Sequence, residues 1–292
     1  TYLASGGDPA NLPPILDTWQ ARPFEGVTML QADLTGDAVA ENAVSYTDPN
    51  SETFPPASQL AVYACQQGSV TTMYTYNPGE WLGLALVGAR DLTQDAVADL
   101  TFAEISCGAN TCWHTLHVWS WQGTDFQPQM GRELTMPYAT FMLEDAPSAQ
   151  GGQILALSGG MGSVGAGPQR AYTETWAWNG SVITFTAGEL GPATYRYHAF
   201  RDAEEAWFQQ NYDEAHWTYL NVITDQTLEA WEGYYTAAEE KLWLTALAHW
   251  RLVLMGMKVQ NYEDAKAHYA QLQSDFTPET PGYPVAALAK RF

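Results

Sequence analysis

Positive charge is scarce in this sequence. Only 12 Lys and Arg stand against 33 Asp and Glu in 292 residues, for a formal charge of −21. Such a surface repels phosphate backbones and anionic lipid, which argues against nucleic acid and membrane surfaces as partners. No apolar run approaches the roughly 18 residues that a bilayer-spanning helix requires. Cysteine is also sparse, at three residues, and the Cys and His spacings match no zinc motif. No G-x-S-x-G occurs, and no Cys/His context would activate a thiol. These absences give no basis for an enzyme. Charged residues are only 15% of the chain while aromatics reach 13%, a composition that folds rather than one that stays disordered. The length allows two domains, each with its own core.

Cys107 and Cys112 bracket Gly108-Ala109-Asn110-Thr111, which reads as a turn. A disulfide across a hairpin, and hence an oxidising compartment, is one reading; two free thiols is the other. Cys65 then has no partner and reads as a small apolar residue. The chain begins at Thr1 without Met, as a processed N-terminus or an expressed fragment would. Together these features suggest an exported protein: extracellular, cell-surface or periplasmic.

Residues 1–26 are rich in Gly, Pro and Ala and read as a partly ordered lead-in, in which Ile15, Leu16 and Trp19 could pack on a neighbouring domain. From 27 to 190 the chain carries short runs rich in β-branched and aromatic residues, punctuated by Gly, Pro, Asn and Asp, and no helical period. Two features recur. Asp33-Leu34-Thr35-Gly36-Asp37-Ala38-Val39-Ala40-Glu41 returns 58 residues later as Asp91-Leu92-Thr93-Gln94-Asp95-Ala96-Val97-Ala98-Asp99. Tyr74-Thr75-Tyr76, Trp119-Ser120-Trp121 and Trp176-Ala177-Trp178 each place two rings on one strand face just before a turn, and the last two lie 57 residues apart. One period from two independent features marks an internal repeat, over about 27–80, 81–135 and 136–190. In the third copy the acidic loop has decayed to Glu144-Asp145-Ala146-Pro147.

The loop, the strands and the aromatic-x-Trp-Asn-Gly ending resemble FG-GAP/VCBS-type β-propeller blades. The resemblance implies antiparallel four-stranded blades, three of them visible, and calcium in the well-preserved loops. The ligands would be Asp33, Thr35, Asp37, the Val39 carbonyl and Glu41, and then Asp91, Thr93, Asp95, the Val97 carbonyl and Asp99. Calcium favours six to eight hard oxygens from such a loop. A metal-free turn whose acids cap backbone amides is the alternative. At the sixth position Ala38 and Ala96 stand where the family usually has Gly.

From 193 to 292 the period becomes helical. Trp243, Leu247, Trp250 and Leu254 form one stripe, and Tyr212, Ala215, Tyr219 and Val222 a second. Tyr262, Ala265, Tyr269 and Leu272 repeat the second stripe 50 residues on. Gln210-Asn211-Tyr212-Asp213-Glu214-Ala215 is echoed by Gln260-Asn261-Tyr262-Glu263-Asp264-Ala265, and Asn followed by acids starts a helix well. This part resembles the tetratricopeptide (TPR) class of helical hairpins, with 226–240 inserted and 284–291 as a final helix. The expected fold is therefore a β domain of three propeller-like blades followed by a small TPR-like α domain.

Other candidates are weaker. Gly160-Met161-Gly162-Ser163-Val164-Gly165 spells a dinucleotide fingerprint but is followed by Gly167-Pro168 and a strand, so a hairpin loop is expected. His114 and His117 should face opposite sides of a strand. His198, His216, His249 and His268 match no metal motif and read as packing or surface residues. Glu204-Glu205 and Glu239-Glu240 read as solvated helix faces. Trp231, Tyr234 and Tyr235 lie outside the repeat stripes and are the candidate partner-binding residues. The functional expectation is a non-enzymatic binding or assembly module acting through protein–protein contacts or self-association, with structural calcium. The alternative is a carbohydrate-binding module using exposed aromatics.

Overall fold

The computed structural model describes all residues except 1, 3, 4, 6, 67, 68, 109, 110, 147–151, 159–161 and 164–166. The chain forms two compact units: Thr1–Gly159 with Tyr172–Glu189, and Gly160–Ala171 with Leu190–Phe292.

The lead-in of the first unit is more ordered than its composition suggests. Helix α1 (Leu12–Thr18) buries Leu12 and Leu16 against Ala21 and Val44, while Trp19 stays exposed. Pro13 falls in its first turn, where the missing amide costs nothing. A short strand, β1 (Glu25–Gly26), follows. Strands β2 (Met29–Ala32), β3 (Glu41–Thr47), β4 (Ser58–Gln66) and β5 (Ser69–Tyr76) then form an antiparallel sheet in chain order.

The second sheet has β6 (Leu82–Arg90), β7 (Asp99–Gly108) and β8 (Thr111–Trp121) side by side. Strand β8 pairs along one half with β9 (Phe126–Pro128) and along the other with β10 (Leu134–Pro137), and β1 joins β6 in parallel. Cys107 and Cys112 face each other across the β7–β8 turn and are disulfide-bonded. The turn residues 109–110 and the side chain of Cys65 lie outside what is described.

The third sheet begins with β11 (Ala139–Asp145) and β12 (Gly152–Ser158). The chain then leaves it for a two-residue hairpin, β13 (Gly162–Ser163) with β14 (Gly167–Pro168), which belongs to the second unit. It returns as β15 (Tyr172–Trp178) and β16 (Ile183–Leu190). The Gly160–Gly165 motif falls largely outside the described residues.

Side-chain alternation explains how the second sheet serves two cores. Neighbouring residues of a strand point to opposite faces. Trp119 therefore joins Leu34, Leu60, Leu84, Leu100 and Phe102 in one core, while Val118 joins Leu92, Ile154, Trp176 and Ile183 in another. The ring pairs are not in phase, however. Counted from the acidic loop of each repeat, Trp119/Trp121 and Trp176/Trp178 sit on the second strand of the sheet that follows, β8 and β15, but Tyr74/Tyr76 sits on the third, β5. Tyr74 and Tyr76 reach the same core from there and pack edge-on against Trp119, at 5.2 and 4.9 Å.

The second unit contains α2 (Arg196–Phe208), α3 (Tyr212–Thr224), α4 (Ala237–Lys258), α5 (Tyr262–Asp275) and α6 (Tyr283–Ala289). α2–α3 and α4–α5 are helical hairpins whose turns match: Gln210 and Gln260 both take the left-handed conformation, at φ 61° and 63°. The α4–α5 crossing is close, and a Cβ on Gly256 would stand 2.9 Å from that of Ala265. Helix α4 starts with a capping box between Thr236 and Glu239. Its most buried stripe is Leu244, Ala248, Leu252 and Met255, facing α2 and α3. The stripe expected from sequence is only half-buried, because it is the second face: Trp243, Leu247 and Trp250 pack with Leu272, Phe276 and Val285. A helix packed on two sides shows no single amphipathic face. The echo of the α3 stripe on α5 is half realised, with Ala265 and Leu272 buried but Tyr262 and Tyr269 exposed.

One pair on the second sheet sets a pH dependence. Burial alone would raise the Glu104 carboxyl, but contacts from His117, at 3.5 Å, and from the Tyr76 hydroxyl outweigh it and hold it below the ordinary value of 4.5. A depressed carboxyl stabilises the fold above its unfolded value, and that gain is lost as pH falls through the folded value. The stability advantage of wild type over Glu104→Gln, measured by urea denaturation, should therefore be full at neutral pH and shrink below about pH 4.5.

Candidate functional site

The two acidic loops connect β2 to β3 and β6 to β7, and they are built alike. The first acid folds over the loop: Asp33 accepts from the Gly36 and Ala38 amides at 2.7 and 2.8 Å, and Asp91 from Gln94 and Ala96 at 2.7 and 3.1 Å. The fifth acid, Asp37 or Asp95, accepts from the amide two residues on. The ninth is buried beneath the loop. Glu41 accepts from the Leu34 amide at 2.8 Å, and Asp99 from the Leu92 and Thr93 amides at 2.7 and 2.9 Å. Asp99 also takes the Ser120 hydroxyl. Burial pushes both ninth-position carboxyls up, and the Asp99 hydrogen bonds only partly offset it. Ala38 and Ala96 adopt φ 65° and 68° without Gly. Thr35 and Thr93 turn to the ninth acid rather than outward. Val39 and Val97 supply the amides that the fifth acids accept.

As arranged, the loops satisfy themselves with their own hydrogen bonds. Among the described residues, no three acids of either loop gather within 4.8 Å as a cage. In the third sheet the decayed loop has a different partner: Asp145 pairs with Arg90, whose guanidinium also donates to the Leu143 carbonyl.

The second candidate region lies wholly in the helical unit. Trp231, Tyr234, Tyr235, Trp243 and Tyr197, with Gly167 and Pro168 of the β13–β14 hairpin, line a groove of about 350 Å³. Tyr234 is 77% exposed and Tyr235 48%, whereas Trp231 is half-buried against Tyr195. The hairpin is held by Arg170, which grips Asp202 with bonds of 2.5 and 2.7 Å, and by His198, whose Nε2 lies 3.0 Å from the Pro168 carbonyl.

Glu240, expected at a solvated face, lies buried at the groove. One oxygen accepts from the Trp231 and Glu232 amides, and the other, also buried, has no hydrogen-bond partner among the described residues. Glu204 likewise turns inward, to a two-pronged pair with Arg251 and the Tyr219 hydroxyl. Both acids sit on helix faces that the stripes did not mark, so no sequence signal separated them from Glu205 and Glu239.

The histidines divide. His114 meets Glu25 at 2.9 Å, and His117 stacks on Phe102. His216, His249 and His268, expected to be scattered, converge with Asp264. The Nε2 atoms of His216 and His268 lie 3.2 and 3.5 Å from its two carboxylate oxygens. The Nδ1 atoms of His249 and His268 are 3.1 Å apart. Burial, helped by His268, pushes His249 down to about 4. The available signal was the Asp264-x-x-x-His268 spacing, which sets both on one helix face.

No family model matches this chain, and a search of curated proteins returns no match. Among the described residues, no helix is long and apolar enough to cross a membrane.

The loop geometry gives a graded mutational outcome. Asp99→Ala strands two buried amides and should lower stability by about 3 kcal/mol. Asp95→Ala frees one exposed amide and should cost about 1 kcal/mol or less. Chemical denaturation of the two variants beside wild type measures the difference.

Proposed function

We propose that this protein is an exported, non-catalytic binding and assembly module whose helical unit holds a basic segment of a partner protein. In this reading the three larger antiparallel sheets, two of four strands and one of six, are FG-GAP/VCBS-like blades that act as scaffold, and the two helical hairpins are TPR-like. The observation that carries it is the aromatic groove with a buried, half-satisfied acid behind it. Ring faces attract cations, and Glu240 together with the charge of −21 adds an attractive field for Lys or Arg. A buried carboxyl oxygen without a donor is also costly in the free protein, and a bound cation nearby would offset part of that cost. Arg196 offers only partial relief, since its guanidinium donates to the Val222 and Asp225 carbonyls.

A glycan reading is favoured by one separate feature. In the first unit a cavity of about 800 Å³ is lined by Tyr2, Trp19, Tyr46 and Tyr63 with polar Gln59 and Asn77. Aromatic faces flanked by amides suit sugar rings. Calcium, implied by the loop pattern, is a separable part of the proposal. The loop acids would exchange backbone hydrogen bonds for the ion.

Three measurements test these readings. A lysine-rich synthetic peptide at low ionic strength should quench tryptophan fluorescence saturably. Tyr234→Ala with Tyr235→Ala should weaken that binding about tenfold or more, at unchanged circular dichroism. Saturable oligosaccharide binding with no response to peptide would instead select the glycan reading. Calcium added to chelated protein should raise the thermal midpoint of wild type but not of Asp37→Ala/Asp95→Ala, and an unchanged wild-type midpoint overturns the calcium part.

A further inference from the structure

Three of the six histidines meet at one place in the helical unit, apart from the aromatic groove. Helix α3 contributes His216. Helix α5 contributes Asp264 and His268, one turn apart on the same face. Helix α4, packed between them, places His249 behind His268. We propose that His216, Asp264 and His268 bind a divalent first-row transition metal, with zinc as the best fit.

The spacing of the three side chains suits a metal ion. One ligand atom from each residue can be chosen so that all three lie within 4.8 Å of one another. His216 Nε2 lies 3.2 Å from one oxygen of Asp264, and His268 Nε2 lies 3.5 Å from the other. Ligand atoms at tetrahedral zinc, with bonds of 2.0–2.1 Å, stand roughly 3.3 Å apart. Imidazole and carboxylate together suit zinc and its neighbours rather than calcium or magnesium. Two helices within one compact unit supply the three ligands, so little reorganisation is needed.

A second contact lies behind the site. Only one of the two facing Nδ1 atoms of His249 and His268 can carry the hydrogen between them. When His268 donates it, its Nε2 presents a bare lone pair toward the Asp264 oxygen. That juxtaposition is repulsive unless a proton or a metal cation sits between them. A metal would select this tautomer and give His268 the outer-shell partner that metal-bound histidines ordinarily have. When His249 donates instead, His268 makes only a long contact of 3.5 Å to Asp264. His249 is thus a positioning residue.

A cavity of about 210 Å³, lined by Tyr212, Asp213, His216, Trp217 and Asp264, adjoins the site. It gives an ion a path in and leaves room for water as a fourth ligand. The bound metal would join α3 of the first hairpin to α5 of the second. Its main effect would be to fasten the helical unit.

Metal-stripped full-length protein, titrated with Zn2+ by calorimetry and with Co2+ by visible absorption, tests this. Wild type should bind one ion per chain, give a tetrahedral cobalt spectrum and gain thermal stability. His216→Ala, at a partly exposed position, and Asp264→Asn should each lose the cobalt spectrum while keeping the metal-free circular dichroism of wild type. His249→Gln should retain the site but weaken zinc about tenfold or more. Zinc binding to wild type no tighter than to the His216→Ala/Asp264→Asn/His268→Ala variant overturns the proposal. So does a cobalt spectrum that survives His216→Ala and Asp264→Asn.

Discussion

A buried carboxylate that reaches back seven residues to a backbone amide underlies the first unit. Glu41 holds the amide of Leu34, and Asp99 holds that of Leu92. Each leucine is then fixed with its side chain in a core, one on each side of the second sheet. The loop works as a plug: the acid fixes the backbone, and the leucine fills the space between sheets. Burying an acid is unfavourable unless its oxygens are satisfied, and the loop amides, threonine and serine offset part of that cost. The left-handed alanines and the leucine set into each core recur because the loop closes in the same way twice.

That dependence explains what could be read from the amino-acid order. The loop was visible because its hydrogen bonds are local and require acids at fixed spacings. The strands were visible through their composition, and the disulfide hairpin through two cysteines flanking a turn. The helix starts at Asn211 and Asn261 were visible for the same reason, as local capping chemistry repeated at one interval. Asn261 accepts from the Asp264 amide, while Asn211 donates to Glu214 instead, so even matching words close in slightly different ways.

What stayed hidden depends on contacts between distant segments. The ring pair Tyr74/Tyr76 copies the word of Trp119/Trp121 but sits on a different strand, because rings of either strand can reach the same core. Glu204 and Glu240 look like their exposed neighbours and are distinguished only by Arg251, Tyr219 and the Trp231 segment folding over them. The histidine cluster spans three helices and is divided between two hairpins. Helix α4 hid its main face because two faces are covered at once. In each case the partner lies far along the chain, where local spacing carries no signal.

The hairpin lent by the third sheet has a consequence for the integrity of the chain. Gly160–Ala171 is encoded inside the β unit yet is part of the helical one, clasped through Arg170 and His198. The helical unit is therefore not a contiguous gene segment. A fragment starting at Leu190 would lack the wall formed by Gly167 and Pro168 and would leave Asp202 without its arginine. A single nick between Glu189 and Leu190 would leave the two pieces associated through that clasp. Ribosomal synthesis also delivers the hairpin before any of the helices that receive it, so the helical unit must finish folding around a piece that waits for it.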